Sequence, residues 1–595
     1  MTATVGVGDG PSSIVAAGDS LWVSDEFDAT LDRIDVKSGR VVRTVHLGSS
    51  PRGMVVAGSG VWVGARPFAA ASHRGGTLTV VDSYLPVTDP ALGNEFVDFA
   101  LFAAYDGLTA FRRSGGAAGF TLVPDLAKTL PRPTAGGTTY TFPLRRGIRY
   151  SNGNLVRASD FRRGIQRELI IGPAAGIPGY WDGILGAQAC QQHPKQCDLS
   201  AGIVTDDAAG RVTFRLAQAD PDFLYKLALI NVSPAPPGTP DRAISRAPFL
   251  PGTGPYMISQ VRPKKSVTLV RNPYFRQWSY AAQPAGYPSV IRHEQVKDQS
   301  AQESAVIASR GDLAFLESAD LQSLAIRYPA RVYPGVENGT QFASLNTRQP
   351  PFTNLKARQA VNYAIDRARI IQLSRFASGQ ATVTCQMLPP DFPGHQGYCP
   401  YTAGAGDGAW HGPDMEKARR LAGESGTMNM PVTVWSRNDR LGKAAGSYLV
   451  GLLNDLGYRA RLHAVSSNQF WTDIYNPRLT IQVSIGVGWG ADYPAPSTFF
   501  GPLLSCQSAD EPGTQNLARF CDPHVDALAR QAQAVQLTDP AAARRLWAQA
   551  DHIVTDQAPY VPVLNVGTAG FVSSRAGNYQ ESPVYGPLVD QMWVR

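Results

Sequence analysis

The residues best suited to meet a ligand lie late in the chain, in SIGVGWGADYPAPSTFF (484–500). This strand-like run is rich in glycine, stays uncharged as far as Asp492, and has Trp489, Tyr493, Phe499 and Phe500 around its end. Glycines let another backbone approach, aromatic rings supply an apolar wall, and one carboxylate at a strand end offers a fixed anion to a cationic group. In a partly desolvated cleft, an ammonium about 4 Å from that carboxylate gains on the order of 4 kcal/mol at an effective dielectric near 20, before desolvation costs. The same residue types also fit a buried strand whose Asp492 caps a turn before Pro494.

Other chemistry is poorly supplied. The G-x-S-x-G, H-E-x-x-H, P-loop and C-x-x-C signatures are absent, and the nine histidines are scattered singly. GTGPY (252–256) and the glycines at 486, 488 and 490 do not make a G-x-G-x-x-G phosphate cradle. His395 lies between Cys385 and Cys399, where a solvent-facing loop histidine is a simpler reading than a metal ligand. The expectation is a non-catalytic chain with neither metal nor cofactor.

The six cysteines fall as three local pairs, Cys190/Cys197, Cys385/Cys399 and Cys506/Cys521. Nearest-neighbour bridging is the economical connectivity, and loops of this size each contribute about 3 kcal/mol once closed. Free buried thiols are the alternative; C-x2-C-like zinc spacing is missing. Disulfides persist mainly in oxidising compartments. The start, MTATVGVGDG, has neither a positive n-region nor an apolar h-region, so it is no signal peptide. Together these observations predict an extracytoplasmic protein with native sequence upstream of Met1.

Of the 595 residues, 43% are hydrophobic and only 17% charged, a thinner charged coat than the roughly 25% of an average domain. Disorder as the dominant state is excluded. The net charge of +7 is spread over short clusters such as Arg145–Arg146, Lys264–Lys265 and Arg544–Arg545, which do not make the basic stripe that nucleic acid requires. Every long uncharged stretch contains Pro, Gly or polar residues, so none matches the ~20 apolar residues of a membrane helix.

The elements that position Asp492 follow from periodicity. Tyr448, Leu449, Leu452, Leu453 and Leu456 share one helical face, with Gly457 as a stop, and similar amphipathic runs occupy 354–374, 414–423, 523–537 and 540–556. Short β-rich pieces alternate with them: Val432–Trp435, Ile481–Val487 and Val561–Val566. That mixture predicts α/β lobes.

The first seventy residues read differently. GPSSIVAAGDSLWVSD (10–25) recurs as SPRGMVVAGSGVWVGA (50–65), and the intervening TLDRIDVKSGRVVRTVHLG alternates about a Lys37-Ser38-Gly39 turn as a β-hairpin does. A unit of about 40 residues with four short strands is propeller-blade arithmetic. The segment resembles YVTN/NHL-like blades, which implies the tail of a propeller rather than an appendage docked on the next domain. TLTVVDS (77–83) matches TLDRIDV (30–36) as a blade strand, but no further blade pattern appears after it, so it is expected to open the next domain.

From Gly75 to Arg595 the chain resembles the family 5 extracellular solute-binding proteins of ABC importers, the oligopeptide, dipeptide and nickel-binding group. The matching segments occur in order: RGGTLTVV (74–81), YDGLTAF (105–111), LVPDLAKTL (122–130), YTFPLRRGIRYSNG (140–153), LVRASDF (155–161), GTGPYMISQ (252–260), VTLVRNPYF (267–275), LNTRQPPFTNLKARQAVNYAIDRARI (345–370) and WGADYPAPSTFF. The resemblance implies a two-lobed α/β periplasmic-binding-protein-like fold of class II, large cluster, closing on ligand by hinge motion. Residues 1–72 would be partial blade repeats, 73–335 lobe 1, regained by 560–595, and 336–559 lobe 2. It also implies that Asp492 pairs with a peptide α-amino group, that Gly488, Trp489, Gly490 and Tyr493 line the same site, and that Tyr105 and Asp106 present the first lobe's side. The expected partners are a peptide or other amine-bearing small molecule and ABC permease subunits, with the chain monomeric and no nucleic acid bound. The alternative is a solute-sensing module of a larger protein with a propeller linker. The bare strand and the blade-like start depart from the family pattern.

Overall fold

The computed structural model describes residues 5–8, 11–25, 30–47, 51–58, 60–65, 73–93, 101–172, 179–316, 321–335, 338–377, 379–404 and 406–595. The chain divides into two compact units. Unit 1 comprises Met1–Ala219, Phe223–Ala314 and Phe571–Arg595; unit 2 comprises Asp220–Asp222 and Phe315–Gly570.

The N-terminal repeat of unit 1 is a structural repeat. Strands β1 (Pro11–Ala17), β2 (Ser20–Asp25), β3 (Thr30–Asp35) and β4 (Arg40–His46) form an antiparallel sheet in that order, and β5 (Pro51–Ala57) pairs with β6 (Gly60–Ala65). Val15 faces Trp22 across β1–β2 as Val55 faces Trp62 across β5–β6, and both hairpins slip register at the same place, after Pro11 and after Pro51. Both turns use a glycine at positive φ, Gly18 at 59° and Gly58 at 61°, which only a residue without Cβ adopts freely. At the β3–β4 turn the Asp35 carboxylate accepts from the Ser38 N–H and hydroxyl, both at 2.7 Å. The Thr77–Asp82 strand, the blade-like TLTVVDS, sits instead inside an α/β sheet, as its position before the family-like segments leads one to expect.

In that sheet, strands Tyr256–Arg262, Ser266–Arg271, Val290–Gln295, Thr77–Asp82, Leu313–Phe315 and Ala569–Val572 lie in this order. Thr77–Asp82 pairs parallel on both sides, and its three apolar residues, Leu78, Val80 and Val81, are fully buried, as befits a strand inside a sheet. The chain leaves unit 1 within Leu313–Phe315 and returns within Ala569–Val572. Buried Asp312 ties three distant segments: its carboxylate accepts from the Thr79 N–H at 2.8 Å, the Ser573 hydroxyl at 2.9 Å and the Arg575 Nε at 2.7 Å.

A second core of unit 1 joins Tyr140, Phe142, Phe214 and Phe223 to Trp181 and to helix Ala158–Ile171. This helix buries Glu168, 2% exposed, whose Oε2 has no hydrogen-bond partner. Burial, with the nearby Asp182 charge adding to it, pushes this carboxyl up from 4.5 to about 8. Neutral in the fold but ionised when unfolded, Glu168 costs nothing below its unfolded pKa and progressively destabilises the fold as pH rises from there toward 8, by up to about 1.4 kcal/mol per pH unit. Glu168→Gln is therefore expected to match the wild type in thermal unfolding near pH ~4 and to melt higher above the raised value. A Tm difference independent of pH would refute the assignment.

Unit 2 is built on a six-stranded sheet in the order Ala381–Val383, Tyr560–Val566, Gly339–Leu345, Val483–Gly490, Pro431–Arg437, Arg459–Val465. Helix Arg440–Asp455 lays Leu449, Leu452 and Leu453 on this sheet, joined by Leu456 just past its end, as the sequence periodicity predicts. Asp439 caps it by accepting from the Gly442 N–H at 2.7 Å. The run 354–374 is not one helix. It breaks into Leu355–Ala364 and Arg367–Ser374 because Ile365 turns extended and Asp366 caps the second piece through the Arg369 N–H at 2.9 Å. Helices Met415–Glu424, Pro523–Val535 and Pro540–Gln557 fall where expected. The cysteines pair with their nearest neighbours: Cys190–Cys197 in unit 1, Cys385–Cys399 and Cys506–Cys521 in unit 2. Among the described residues no helix is long and apolar enough to cross a membrane.

Candidate functional site

The glycine-rich strand Val483–Gly490 is antiparallel to Gly339–Leu345 along its whole length, from Leu345 opposite Val483 to Gly339 opposite Gly490. Register shifts at Gly486, which has no partner: Phe342 faces Val487 and Ala343 faces Ile485. Gly486 has φ 77°, so this residue is glycine because a bulge demands left-handed backbone there. On the other edge, Pro431–Arg437 pairs only with Val483 and Ser484. From Ile485 to Gly490 that edge has no strand partner among the described residues.

This open half-strand is bare. Gly488 is exposed, and Trp489 and Gly490 are half-buried. The Trp489 indole does not swing freely, because its Nε1 donates to the Thr498 carbonyl at 2.8 Å. The strand ends where the Ala491 N–H donates to the Asn338 carbonyl at 3.2 Å, and half-buried Asp492 comes directly after it. Tyr493 is 7% exposed, and burial, reinforced by the charges of Asp222 and Asp220, pushes its phenol well above the usual range. Asp222, buried, accepts from the Ser497 hydroxyl and from Gln536 Nε2 at 2.8 Å. No signal in the sequence points to these two carboxylates, since Asp222 lies 275 residues before the Ser497 it meets. Chemically, unit 2 offers alternating N–H and C=O groups along an edge where every second residue is glycine, a fixed indole, and acidic groups at the end: an arrangement suited to extended backbone ending in a cation.

Tyr105 and Asp106 lie in unit 1, apart from this strand in the chain's division. Both are buried, at 3% and 5% exposure. The Tyr105 hydroxyl donates to the Leu250 carbonyl at 2.9 Å, and burial raises its pKa. The Asp106 carboxylate accepts from the Thr253 hydroxyl and from Gln283 Nε2; burial pushes it up to about 6 against the opposing effect of those bonds and of Arg113. With Asp125, Arg113 and Tyr585 they line a small cavity inside unit 1. Asp125 accepts from Trp278 Nε1 at 2.8 Å and is itself raised, by burial first and then by the Asp106 charge. The five residues 488–490, 492 and 493 are thus brought together by one strand and its turn, while the polar atoms of Tyr105 and Asp106 are engaged within the interior of unit 1.

The chain is similar to several known proteins. The glutathione-binding protein GsiB of Escherichia coli K12 is 26% identical over 445 residues, covering 72% of this chain and 78% of that protein. The solved structure of clavulanic acid biosynthesis oligopeptide binding protein 2 superposes with a TM-score of 0.77 at 23% identity, covering 88% of this chain and 96% of that one. The periplasmic binding protein DppA from Helicobacter pylori, in complex with peptide STSA, gives a TM-score of 0.64 at 20% identity over 88% of this chain and 99% of its own. These likenesses establish the periplasmic-binding-protein-like α/β fold. The model of bacterial extracellular solute-binding proteins, family 5, matches residues 121–511, most of the chain, and the protein therefore belongs to that family of non-catalytic solute-binding proteins.

Proposed function

We propose that this protein captures peptides or small amine-bearing molecules outside the cytoplasm and delivers them to the permease of an ABC importer. The observation that carries the reading is the edge from Ile485 to Gly490, paired on one side only and leading directly into Asp492. A peptide backbone adds to such an edge as a strand, and its α-ammonium meets Asp492 at the strand's end. Gly488, Trp489, Gly490 and Tyr493 form the wall of the site within unit 2, whereas Tyr105 and Asp106, buried and hydrogen-bonded inside unit 1, take no part in this reading. Similar proteins, one glutathione-binding and one holding a peptide, support a peptide-like ligand.

Isothermal calorimetry against short peptides tests this. Saturable binding of free-amine peptides is expected, with N-acetylated versions weaker by roughly tenfold or more, the scale of losing a partly buried charge pair. Equal binding of both forms would remove the amine from the reading, and binding of neither would remove the peptide. The repeated hairpins β1–β2 and β5–β6 favour a second reading, in which the chain is a solute-sensing module of a larger protein with a propeller linker.

A further inference from the structure

The two N-terminal hairpins have the same sequence pattern and register but not the same surroundings. The outer edge of β2 is covered by β3, from Ser20 opposite Asp35 to Asp25 opposite Thr30. As a result Val23, Ser24 and Asp25 are buried. In β6, the equivalent residues are Val63, half-buried, and Gly64 and Ala65, both exposed. Trp22 is half-buried, whereas Trp62 is 66% exposed, and Val55 opposite it is 58% exposed. Among the described residues β6 has β5 as its one strand partner. It carries no charge, no proline and no lysine, the devices that normally protect an edge.

We propose that the outer edge of β6 is a docking site for an added antiparallel strand built like β3, and that it selects a more apolar strand than β3 itself. The occupant is read from the first repeat, where the same edge takes β3. Its chemistry is read from the differences between β2 and β6. Two polar ties close the ends of the β2–β3 pair: Arg33 Nε donates to the Ser20 hydroxyl at 2.8 Å, and the Thr30 hydroxyl donates to the Asp25 carboxylate at 3.2 Å. The equivalents of Ser20 and Asp25 in β6 are Gly60 and Ala65, which offer no acceptor side chain. The partner is therefore held by backbone hydrogen bonds and by contact with Trp62 and its neighbours, and gains nothing from Arg33 or Thr30. Since β5 packs beside β1 and β2, the added strand extends a series already two hairpins long. This inference uses only the N-terminal repeat and is independent of the ligand reading.

The test uses the full chain and a fluorescent peptide of residues 30–47, TLDRIDVKSGRVVRTVHL, monitored by anisotropy. Saturable binding is expected. Trp62→Lys, at an exposed position that leaves the fold intact by circular dichroism, is expected to weaken it by roughly tenfold or more, the usual cost of losing an aromatic anchor. A peptide carrying Thr30→Val and Arg33→Val is expected to bind at least as tightly as the parent. Absence of binding, binding indifferent to Trp62→Lys, or marked weakening by the two valines would overturn the proposal. So would light scattering that finds the chain alone dimeric and Trp62→Lys monomeric, since a second copy would then be the occupant.

Discussion

Replacing Asp492 by alanine is expected to weaken binding of a free-amine peptide by about thirtyfold, from the loss of roughly 2 kcal/mol for a charge pair that is half-exposed rather than fully enclosed. The residue adjoins the bare edge with little spacing, so a ligand strand paired from Ile485 to Gly490 brings its terminus to this carboxylate. The informative experiment is a cycle. Asp492→Ala and N-acetylation of the peptide each remove one partner of the same contact, so once either is made the other should have little further effect. Calorimetry of the four combinations measures it. Losses that simply add would place the ammonium elsewhere. Asp492→Asn keeps an acceptor but not the charge and is expected to fall between the two, which distinguishes attraction of a cation from a plain hydrogen bond.

The second large effect concerns stability. Arg167, on helix Ala158–Ile171, is buried at 1% exposure beside Asp89 at 2%. Its guanidinium meets the carboxylate with both terminal nitrogens, Nη1 to Oδ1 at 2.9 Å and Nη2 to Oδ2, while Nε donates to the Pro240 carbonyl at 2.6 Å and Nη2 also to the Arg242 carbonyl at 2.9 Å. Asp89 in turn accepts from the Ile244 N–H at 2.8 Å and the Ala91 N–H at 3.2 Å. Arg167→Met strands a buried carboxylate and two carbonyls at once, and is expected to cost about 3–5 kcal/mol in urea unfolding. Arg167→Met with Asp89→Leu should recover part of that loss, because removing both charges relieves the desolvation that neither residue can bear alone. A single-variant loss below about 1 kcal/mol would mean the pair is no more than a surface bridge in its effect.

How legible these features are in the sequence depends on whether local residues decide them. The capped helices are, since Asp439, Asp522 and Asp539 each precede an amphipathic run and satisfy its first N–H groups. So are the disulfides, because close cysteines meet with little loop entropy, and the twin hairpins, whose turn glycines, Gly18 and Gly58, hold matching places in the two repeats. The break at Ile365 is hidden because Asp366 interrupts the periodic pattern without changing its phase, so the capping residue reads as part of one longer helix. The strand of Gly488 is readable, but its open edge is not: that depends on Pro431–Arg437 diverging after Trp435, a fact about a strand far back in the chain. The burial of Asp106 is equally non-local, set by Thr253 and Gln283.

Asp312 has a consequence for the order in which the molecule is completed during synthesis. Its partners are Thr79, in the first fifth of the chain, and Ser573 and Arg575, which the ribosome supplies only after all of unit 2. Unit 2, apart from the short Asp220–Asp222 stretch, is one uninterrupted span and has every strand of its sheet in hand by Val566. A chain emerging from its N-terminus is thus expected to complete the later unit before the earlier one, with the edge of Leu313–Phe315 waiting for Ala569–Val572. A chain stopped after Gly570 would hold all of unit 2 but lack the last part of unit 1, so the final stretch, Phe571–Arg595, is expected to act as a clasp whose arrival makes unit 1 resistant to proteases.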